Sequence, residues 1–177
     1  FELEYQLQGT NKEHYLAEIK KIIKQSTFTY VRQKKMLGLG HAILTGQPLI
    51  GNEPFAVILA DDLCTNKGDN VLSQIIKVYE KYKCSVIAIE EVQFDQTNNY
   101  GIITGDLIDK STDTYRVINM VEKPNINEAA SNLAIIGRYI LTPDIFEILK
   151  NTSTKKADEI QITDALNILA KKGKVIA

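Results

Sequence analysis

Two apolar runs on either side of an amphipathic segment most strongly constrain the fold of this 177-residue chain. The first run, residues 54–60, is continuous rather than alternating, which is typical of a strand buried on both faces of a parallel sheet. The second run covers residues 84–89, and between the two runs apolar residues recur at helical spacing over residues 70–82. Strand, helix and strand in this order predict a βαβ unit with a right-handed crossover. The chain is therefore predicted to adopt an α/β fold with a mixed, mainly parallel sheet flanked by helices.

The remaining segments predict further helices and strands around this unit. A small antiparallel excursion is expected within residues 92–120, where turn residues separate short alternating runs. No linker or internal repeat divides the chain, so residues 1–177 are expected to form a single domain. The chain starts at Phe1 and its last residues, 174–177, look like the start of a strand, so we expect this domain to be incomplete at both ends. The other predicted elements are a helix over residues 11–25, a short strand over 28–33, a strand over 133–141, a helix after Thr142-Pro143 and a last helix over 160–171.

Composition and charge limit the classes of molecule that this chain is expected to bind. The formal net charge is −1, which gives no basic field to hold a nucleic-acid backbone. No apolar run is long enough to span a bilayer, and no signal peptide is recognisable. Two cysteines without CxxC spacing favour a reducing, cytoplasmic setting over a disulfide scaffold. We therefore expect a cytoplasmic protein that binds neither nucleic acid nor membrane.

The acidic pair Asp61-Asp62 stands at the carboxyl end of the first apolar run. In open α/β sheets, ligands bind outside the carboxyl ends of the strands. Carboxylate oxygens suit Mg²⁺, which keeps several waters and shares its remaining positions with substrate phosphates. Neighbouring side chains of an extended chain point to opposite sides, so one direct ligand is expected rather than two. The alternative from residue chemistry alone is that both acids cap the following turn.

A glycine-rich segment that includes Gly38 and Gly40 follows the predicted strand that ends at Gln33. Glycine allows the backbone to approach a ligand closely and leaves its N–H group accessible. A neutral base such as uracil presents carbonyl oxygens and an imide N–H, which backbone groups and a Gln amide can match. Glycine pairs also mark ordinary turns, so the segment alone does not identify a nucleotide site. His41, which follows the second glycine, is interpreted as a structural residue.

A third segment, Val121-Glu122-Lys123-Pro124, combines a carboxylate with an ammonium group. A lysine is a natural point charge for a phosphate, and a carboxylate can accept hydrogen bonds from sugar hydroxyls. Pro124 is expected to hold Lys123 in an extended conformation. The two side chains would then diverge, so a ligand shared by Glu122 and Lys123 requires a bend or bulge there. The alternative is a surface ion pair at the end of a strand.

Taken together and in this order, these segments resemble the bacterial UTP–glucose-1-phosphate uridylyltransferases, a branch of the sugar-1-phosphate nucleotidyltransferase family. The resemblance implies a Rossmann-like, GT-A-like fold and a Mg²⁺-dependent enzyme that converts UTP and glucose-1-phosphate to UDP-glucose and pyrophosphate. It also implies a homo-oligomer, a dimer or a tetramer, with a place in carbohydrate metabolism and cell-envelope polysaccharide biosynthesis. It extends over nearly the whole chain and is carried by residues 30–41, 51–62, 121–124, 131–139 and 159–165.

On the nucleotide side, the resemblance implies roles for four residues. Gln33 and Gly38 match the positions that read uracil. Asp61 matches the catalytic acid that binds Mg²⁺, and its neighbour Asp62 is a second candidate ligand for the metal.

On the sugar side, the resemblance implies four further assignments. Gly101 matches a glucose contact, and Glu122 matches the residue that binds glucose hydroxyls. Asn132 matches a position that lines the sugar pocket. Lys123 matches the catalytic residue that contacts the phosphate of the sugar.

Three departures from the family pattern limit what this chain is expected to do. The family's N-terminal Gly-x-Gly-Thr-Arg loop and its following lysine, which hold the triphosphate, have no match. A late aspartate that completes metal binding has no match either, and Ala60 stands where the family often has proline before the aspartate. We therefore expect these 177 residues alone not to catalyse the reaction, because the triphosphate cradle is absent.

Three alternatives remain open. Thymidylyl- and adenylyltransferases share the metal aspartate and the glutamate–lysine site, so dTTP or ATP could replace UTP. A glycosyltransferase would use a similar sheet, but it requires a DxD-type motif, whereas the two acids in this chain are adjacent. A non-catalytic module that binds UDP-sugars would retain the fold without the phosphate loop.

Overall fold

The computed structural model describes residues 2–66, 68–153 and 159–177 of the chain. These residues fall into two units, Phe1–Arg32 and Gln33–Ala177. None of the described helices has both the length and the apolar composition that a membrane span requires.

The first unit contains two helices, α1 (Glu2–Leu7) and α2 (His14–Gln25), so the helix predicted over residues 11–25 is confirmed with a later start. The short strand predicted over residues 28–33 is wrong, because those residues form no regular element. Alternation alone does not produce a strand where no neighbouring strand takes up the backbone N–H and C=O groups. Side chains from both faces of the predicted strand are exposed, namely Phe28, Tyr30 and Val31.

The second unit contains a six-stranded sheet with helices on both faces. The strands and helices predicted within this unit are present, with ends shifted by a few residues. The strands are β1 (Phe55–Ile58), β2 (Ser85–Glu91), β3 (Gly101–Asp109), β4 (Thr114–Glu122), β5 (Leu133–Leu141) and β6 (Val175–Ile176). The helices are α3 (Gly38–Ile50), α4 (Val71–Tyr82), α5 (Asp144–Ser153) and α6 (Ile162–Ala170), with 3₁₀ turns at Phe94–Asn99 and Ile126–Glu128.

The sheet is mixed, as predicted, but the prediction of a mainly parallel sheet is wrong. The strand order is β1-β5-β2-β6-β4-β3, and among the described strands only β2 and β6 pair in parallel. Strands β1 and β2 do run in the same direction on either side of α4, but β5 lies antiparallel between them. The predicted antiparallel excursion is the β3–β4 hairpin, which belongs to the same sheet. A continuous apolar run is compatible with burial in either kind of ladder, so it does not report strand direction.

Alternating side chains of the central strands bury two cores, one on each face of the sheet. Ile87 of β2 packs with α3, α5 and α6, whereas its neighbour Val86 packs with α4 on the other face. Strand β1 is less buried than predicted, since Ile58 is exposed while Phe55 stacks on Phe146 with 5.1 Å between the ring centroids. Strand β1 therefore has one partly buried face and one exposed face, rather than two buried faces.

The close approach of α3 to residue 160 leaves no room for a side chain at Gly40. The Gly40 N–H donates to the Ile160 carbonyl at 2.9 Å, and a Cβ on Gly40 would lie 2.7 Å from that oxygen. We expect Gly40→Ala to lower the free energy of unfolding by about 1–3 kcal/mol, the usual cost of overpacking. The matched control is Gly46→Ala in the same helix, because its Cβ would meet its nearest neighbour at 3.5 Å and should add roughly 0.5–1 kcal/mol of stability. Urea unfolding measures both effects, and equal midpoints for the two variants would contradict the expectation.

Candidate functional site

The end of β1 presents the acidic pair that was predicted at the edge of the sheet. The chain turns over residues 59–62, and the Asp62 N–H lies 3.5 Å from the Leu59 carbonyl. Asp61 is exposed at the tip of this turn and has no hydrogen bond or ion pair with the described residues. Asp62 is half-buried, and its Oδ2 accepts a 2.6 Å hydrogen bond from the Gly137 N–H of β5. The two acids therefore differ, because Asp61 is open and Asp62 is anchored.

The same turn is held by Arg138, a residue that had no predicted role. Its Nη1 donates to the Leu59 carbonyl at 3.0 Å, and its Nη2 donates to the Asp62 carbonyl at 2.7 Å. The Leu59 N–H also donates to the Gly137 carbonyl at 2.9 Å, which extends the β1–β5 ladder by one residue. A Cβ on Gly137 would lie 2.7 Å from the Leu59 Cβ, so only glycine leaves room for the turn at this position.

The backbone bends at Lys123, directly after Glu122 ends β4. Lys123 has a φ of 45°, in the left-handed region, so the expectation that Pro124 holds it extended is wrong. Its N–H donates to the Tyr100 carbonyl at 3.0 Å, which fixes the bend against the neighbouring strand. A bend of this kind is what a ligand shared by Glu122 and Lys123 requires. The Lys123 side chain is exposed and pairs with no described carboxylate, so the alternative of a surface ion pair is not formed.

The Glu122 carboxylate is held by contacts from two other elements. Thr163, buried in the first turn of α6, donates its hydroxyl to Oε2 of Glu122 at 2.6 Å. Gly101 pairs with Glu122 across the β3–β4 ladder, and a Cβ on Gly101 would lie 3.1 Å from the same oxygen. The structure thus brings together Gly101 and Glu122, the two residues predicted to contact glucose. Thr163 had no predicted role, although it lies in the segment 159–165 that carries the family resemblance.

Gln33 and Gly38, the residues predicted to read uracil, are in direct contact. The Gln33 side-chain amide donates to the Gly38 carbonyl at 3.2 Å and to Nδ1 of His41 at 2.9 Å. His41 therefore orients Gln33, which agrees with its interpretation as a structural residue. Because both amide N–H groups are used, Oε1 of Gln33 is left as an acceptor. The glycine-rich segment is the first turn of α3 rather than a turn before a helix, since α3 begins at Gly38.

Residues 159–163 connect the α3 side of the site with the β4 side. The Ile160 N–H donates to the Leu37 carbonyl at 2.7 Å, which holds this segment against the start of α3. Three residues further on, Thr163 holds the Glu122 carboxylate. One short segment of chain therefore touches both the predicted uracil site and the predicted glucose site.

Tyr139 had no predicted role, but its hydroxyl lies in the field of two carboxylates of the site. Tyr139 is 5% exposed and lies on β5, between β1 and β2. Burial raises the pKa of its hydroxyl to about 12, and the charges of Glu122 and Asp62 act in the same direction. The period of two along β5, which puts residues 135, 137 and 139 on one face, is the signal that could have found it.

Stability at alkaline pH is expected to depend on Tyr139. Its hydroxyl has a pKa of about 12 in the folded chain and 10.0 without the surrounding protein, so the unfolded state loses its proton first as the pH rises. Between these values the folded state binds more protons, and its stability therefore falls with rising pH. We expect Tyr139→Phe to reduce this pH-dependent decrease in the free energy of unfolding by up to about 2–3 kcal/mol. Unfolding measured between pH 9 and pH 12, with the exposed Tyr30→Phe as control, tests the prediction, and an unchanged slope in Tyr139→Phe would contradict it.

Asn132, predicted to line the sugar pocket, is bonded to the residue that follows β2. Its Nδ2 donates to the Val92 carbonyl at 3.1 Å, and its own carbonyl accepts from the Val92 N–H at 3.0 Å. It directly precedes β5, three residues before Ile135, whose Cδ1 would lie 3.1 Å from a Cβ on Gly101. No hydrogen bond among the described residues joins Asn132 to Glu122, so the role of Asn132 in the pocket stays a prediction.

Comparison with known proteins relates this site to one family. The family model for nucleotidyl transferases matches residues 7–177. Over 178 residues the chain is 57% identical to the UTP–glucose-1-phosphate uridylyltransferase of Pseudomonas aeruginosa, covering 100% of the chain and 63% of that protein. Over 173 residues it is 43% identical to the protein of the same name from Mycoplasma pneumoniae, covering 98% of the chain and 59% of that protein. The chain thus spans about 60% of the length of these relatives.

Two solved structures are similar to the chain along nearly all of its length. One is the crystal structure of an apo UDP-glucose pyrophosphorylase, with a TM-score of 0.89 and 57% identity, covering 100% of this chain and 64% of that one. The other is a UDP-glucose pyrophosphorylase in complex with UDP-glucose, with a TM-score of 0.89 and 55% identity, covering 99% of this chain and 67% of that one.

Proposed function

Because the chain belongs to the nucleotidyl transferase family, we propose that the protein transfers a uridylyl group from UTP to glucose-1-phosphate, giving UDP-glucose and pyrophosphate. The names of the relatives, UTP–glucose-1-phosphate uridylyltransferase and UDP-glucose pyrophosphorylase, support this reaction. The observation that carries the proposal is the Glu122 carboxylate, held by Thr163, directly before the bend at Lys123. A carboxylate beside an ammonium group suits a sugar that carries a phosphate, since the two groups bind hydroxyls and phosphate respectively.

Uracil is proposed to bind between Gln33 and Gly38. Its N3–H is a donor, and Oε1 of Gln33 can accept it because both N–H groups of that amide are already used. The uracil carbonyl oxygens need donors, which the N–H groups of Gly38 and Leu39 at the start of α3 can supply. The Gly40 N–H, in contrast, already donates to the Ile160 carbonyl. Cytosine has an acceptor at N3, so the same arrangement disfavours cytidine nucleotides. Thymine presents the same edge as uracil, so Gln33 does not by itself separate UTP from dTTP.

Glucose is proposed to bind at Glu122, with its phosphate at Lys123. Oε1 of Glu122 can accept hydrogen bonds from sugar hydroxyls, because Thr163 takes up Oε2. Gly101 keeps the space next to this carboxylate open, since a Cβ there would come within 3.1 Å of it. The exposed ammonium of Lys123 binds the phosphate as a point charge. Asn132 is proposed to line the same pocket.

The residues at the end of β1 fit a Mg²⁺ ion. Asp61 offers an exposed carboxylate that has no partner among the described residues, and Mg²⁺ prefers oxygen ligands of this kind. Asp62 has Oδ2 bound by the Gly137 N–H, and its Oδ1, which accepts only a long contact of 4.0 Å from the Cys64 thiol, is a second candidate ligand. Within the described ranges no group of three or more His, Cys, Asp or Glu could hold a metal ion, so the proposed cation would need its other ligands from water and phosphate. When bound, the ion neutralises negative charge on the phosphates.

The proposed transfer is a single in-line displacement. A phosphate oxygen of glucose-1-phosphate attacks the α-phosphorus of UTP, the bond between that phosphorus and the bridging oxygen breaks, and pyrophosphate leaves. Such a transfer depends mainly on positioning and charge neutralisation, with little covalent chemistry for the protein. Gln33 holds the base, Glu122 holds the sugar, and Lys123 offsets the charge of the attacking phosphate. No covalent enzyme intermediate is needed.

Binding of UDP-glucose is measured before turnover, because the residues proposed to contact UDP-glucose all lie within the chain. Calorimetric titrations with UDP-glucose, CDP-glucose, dTDP-glucose and ADP-glucose in Mg²⁺ test the nucleotide specificity. We expect UDP-glucose to bind most tightly and CDP-glucose to bind at least about tenfold more weakly, the cost of one mispaired hydrogen bond. Tighter binding of dTDP-glucose or ADP-glucose would assign the protein to another branch of the family, and no binding of any of the four would contradict the proposed function.

Pyrophosphate release tests the transfer step itself. The assay contains glucose-1-phosphate, Mg²⁺ and one of UTP, dTTP, ATP or CTP. Because residues 1–177 alone are not expected to catalyse the reaction, the assay uses a protein that carries the triphosphate-binding loop together with these residues. The proposal predicts the fastest release with UTP, and a faster release with dTTP or ATP would contradict it.

The same proposal covers the assembly and setting of the protein. Residues 1–177 are proposed to belong to one catalytic domain of a homo-oligomer that acts in the cytoplasm. The relatives support small-molecule substrates, since their names refer to UTP and glucose-1-phosphate. Light scattering after size-exclusion chromatography measures the oligomeric state, and a monomer at all concentrations would contradict the assembly.

A further inference from the structure

Four hydrogen bonds fasten the turn that presents Asp61 to strand β5. Two involve the backbone of Gly137, whose carbonyl accepts from Leu59 at 2.9 Å and whose N–H donates to the Asp62 carboxylate at 2.6 Å. The other two come from the Arg138 guanidinium, which donates to the Leu59 and Asp62 carbonyls. Asp61 lies between the fastened residues, so its carboxylate stands on a short turn that is tied down at both ends.

Arg138 differs from an ordinary ion-pair arginine in the partners that it holds. Its described hydrogen bonds go to three backbone carbonyls, the third being that of Gly137 at 2.9 Å. None of the described carboxylates forms an ion pair with it. A guanidinium has its donors in a fixed, planar fork, so it can hold two carbonyl oxygens at a set separation, which a lysine ammonium cannot do. The contacts of Arg138 therefore fix the shape of the turn rather than neutralise a charge.

We propose that Arg138 is a positioning residue that sets the affinity of the Asp61 carboxylate for a divalent cation bound together with a nucleotide diphosphate. This inference rests on the proposed function. A cation held by carboxylates of this turn and by phosphate oxygens binds more tightly when those carboxylates are already in place, because the turn need not be ordered on binding. Outer partners that orient a metal ligand typically change metal affinity by about 10–100-fold.

Three variants separate the guanidinium fork from its charge and from its bulk. Arg138→Met removes the fork and keeps most of the apolar length of the side chain. Arg138→Lys keeps the charge without the fork. Arg116→Met, at an exposed arginine of β4, is the matched control. UDP-glucose affinity is measured for each with Mg²⁺ and with EDTA, because the ratio of the two dissociation constants isolates the contribution of the cation. Thermal unfolding in EDTA shows whether each variant is folded.

We expect Arg138→Met to lose about tenfold or more of the affinity measured with Mg²⁺ and little of the affinity measured with EDTA. Arg138→Lys should lose part of the Mg²⁺-dependent affinity, and Arg116→Met should match the unsubstituted chain. A change in the position of the turn shifts the ratio, whereas a general loss of folded protein lowers both affinities together.

An unchanged ratio in Arg138→Met would overturn the inference, and so would an equal loss with Mg²⁺ and with EDTA. If Arg138→Met does not fold, the ratio for Arg138→Lys decides, and an unchanged ratio there overturns the inference as well. Failure of the unsubstituted chain to bind UDP-glucose under either condition would contradict the proposed function together with the inference. The two failures are therefore distinguishable.

Discussion

Replacement of Asp61 by asparagine is expected to remove most of the Mg²⁺-dependent affinity for UDP-glucose. The loss should be roughly tenfold to a hundredfold, which corresponds to about 1.5–3 kcal/mol for a contact with a charged group. The carboxylate is exposed and has no partner in the part of the chain that the structure describes, so the substitution removes no contact that holds the fold. The affinity in EDTA and the free energy of unfolding should therefore change little. Calorimetry with Mg²⁺ and with EDTA, together with urea unfolding, measures all three quantities.

Two further substitutions define what the Asp61 result means. Asp95→Asn replaces an exposed acid in the 3₁₀ turn Phe94–Asn99 and should leave every quantity unchanged. Asp62→Asn weakens the hydrogen bond from the Gly137 N–H. It should therefore lower the free energy of unfolding in addition to the Mg²⁺-dependent affinity. Full Mg²⁺-dependent affinity in Asp61→Asn would contradict its proposed role as a metal ligand.

Replacement of Glu122 by glutamine is expected to weaken UDP-glucose binding by roughly tenfold to a hundredfold and to leave UDP binding unchanged. Glutamine keeps the size of the side chain, but its neutral amide accepts hydrogen bonds from sugar hydroxyls more weakly than a carboxylate. UDP lacks the glucosyl group, so it does not reach Glu122 in the proposed arrangement. Titrations of the variant with UDP-glucose and with UDP measure the difference directly.

The matched control for this substitution is Glu128→Gln. Glu128 is exposed, and its Oε2 accepts from Nδ2 of Asn125 at 2.8 Å, so the control removes a charge from the same region of chain without touching the site. UDP and UDP-glucose should each bind Glu128→Gln as tightly as they bind the unsubstituted chain. An equal loss of UDP and UDP-glucose affinity in Glu122→Gln would contradict a role confined to the sugar.

Element positions could be predicted from the sequence because they depend on residues close together in the chain. Helix α4 is an example, since Asn70 accepts from the Ser73 N–H at 2.8 Å and apolar residues then recur at helical spacing. The nucleotidyltransferase fold implied by the family resemblance is confirmed, with a mixed sheet. Strand direction could not be predicted, because the antiparallel insertion of β5 between β1 and β2 depends on pairing between distant segments.

The geometry of the candidate site also depends on contacts between distant segments, which could not be predicted from the sequence. The neighbours Glu122 and Lys123 could be predicted as a pair, but the bend between them depends on the Tyr100 carbonyl, which overrides the local effect of the following proline. Thr163 and Arg138 were missed because their contacts cross 41 and up to 79 residues of sequence. A local pattern assigns such residues to a helix start or a strand and says nothing about what their side chains reach.

Amide hydrogen exchange along the chain, with and without saturating UDP-glucose and Mg²⁺, is the most direct test of the proposed site. We predict added protection around Gln33 and Gly38, where uracil is proposed to bind, and around Gly101 and Lys123, where the sugar and its phosphate are proposed to bind. The turn at Asp61 should gain protection only when Mg²⁺ is present. Added protection around only the uracil residues or only the sugar residues, or around neither, would contradict a single site that binds both halves of UDP-glucose.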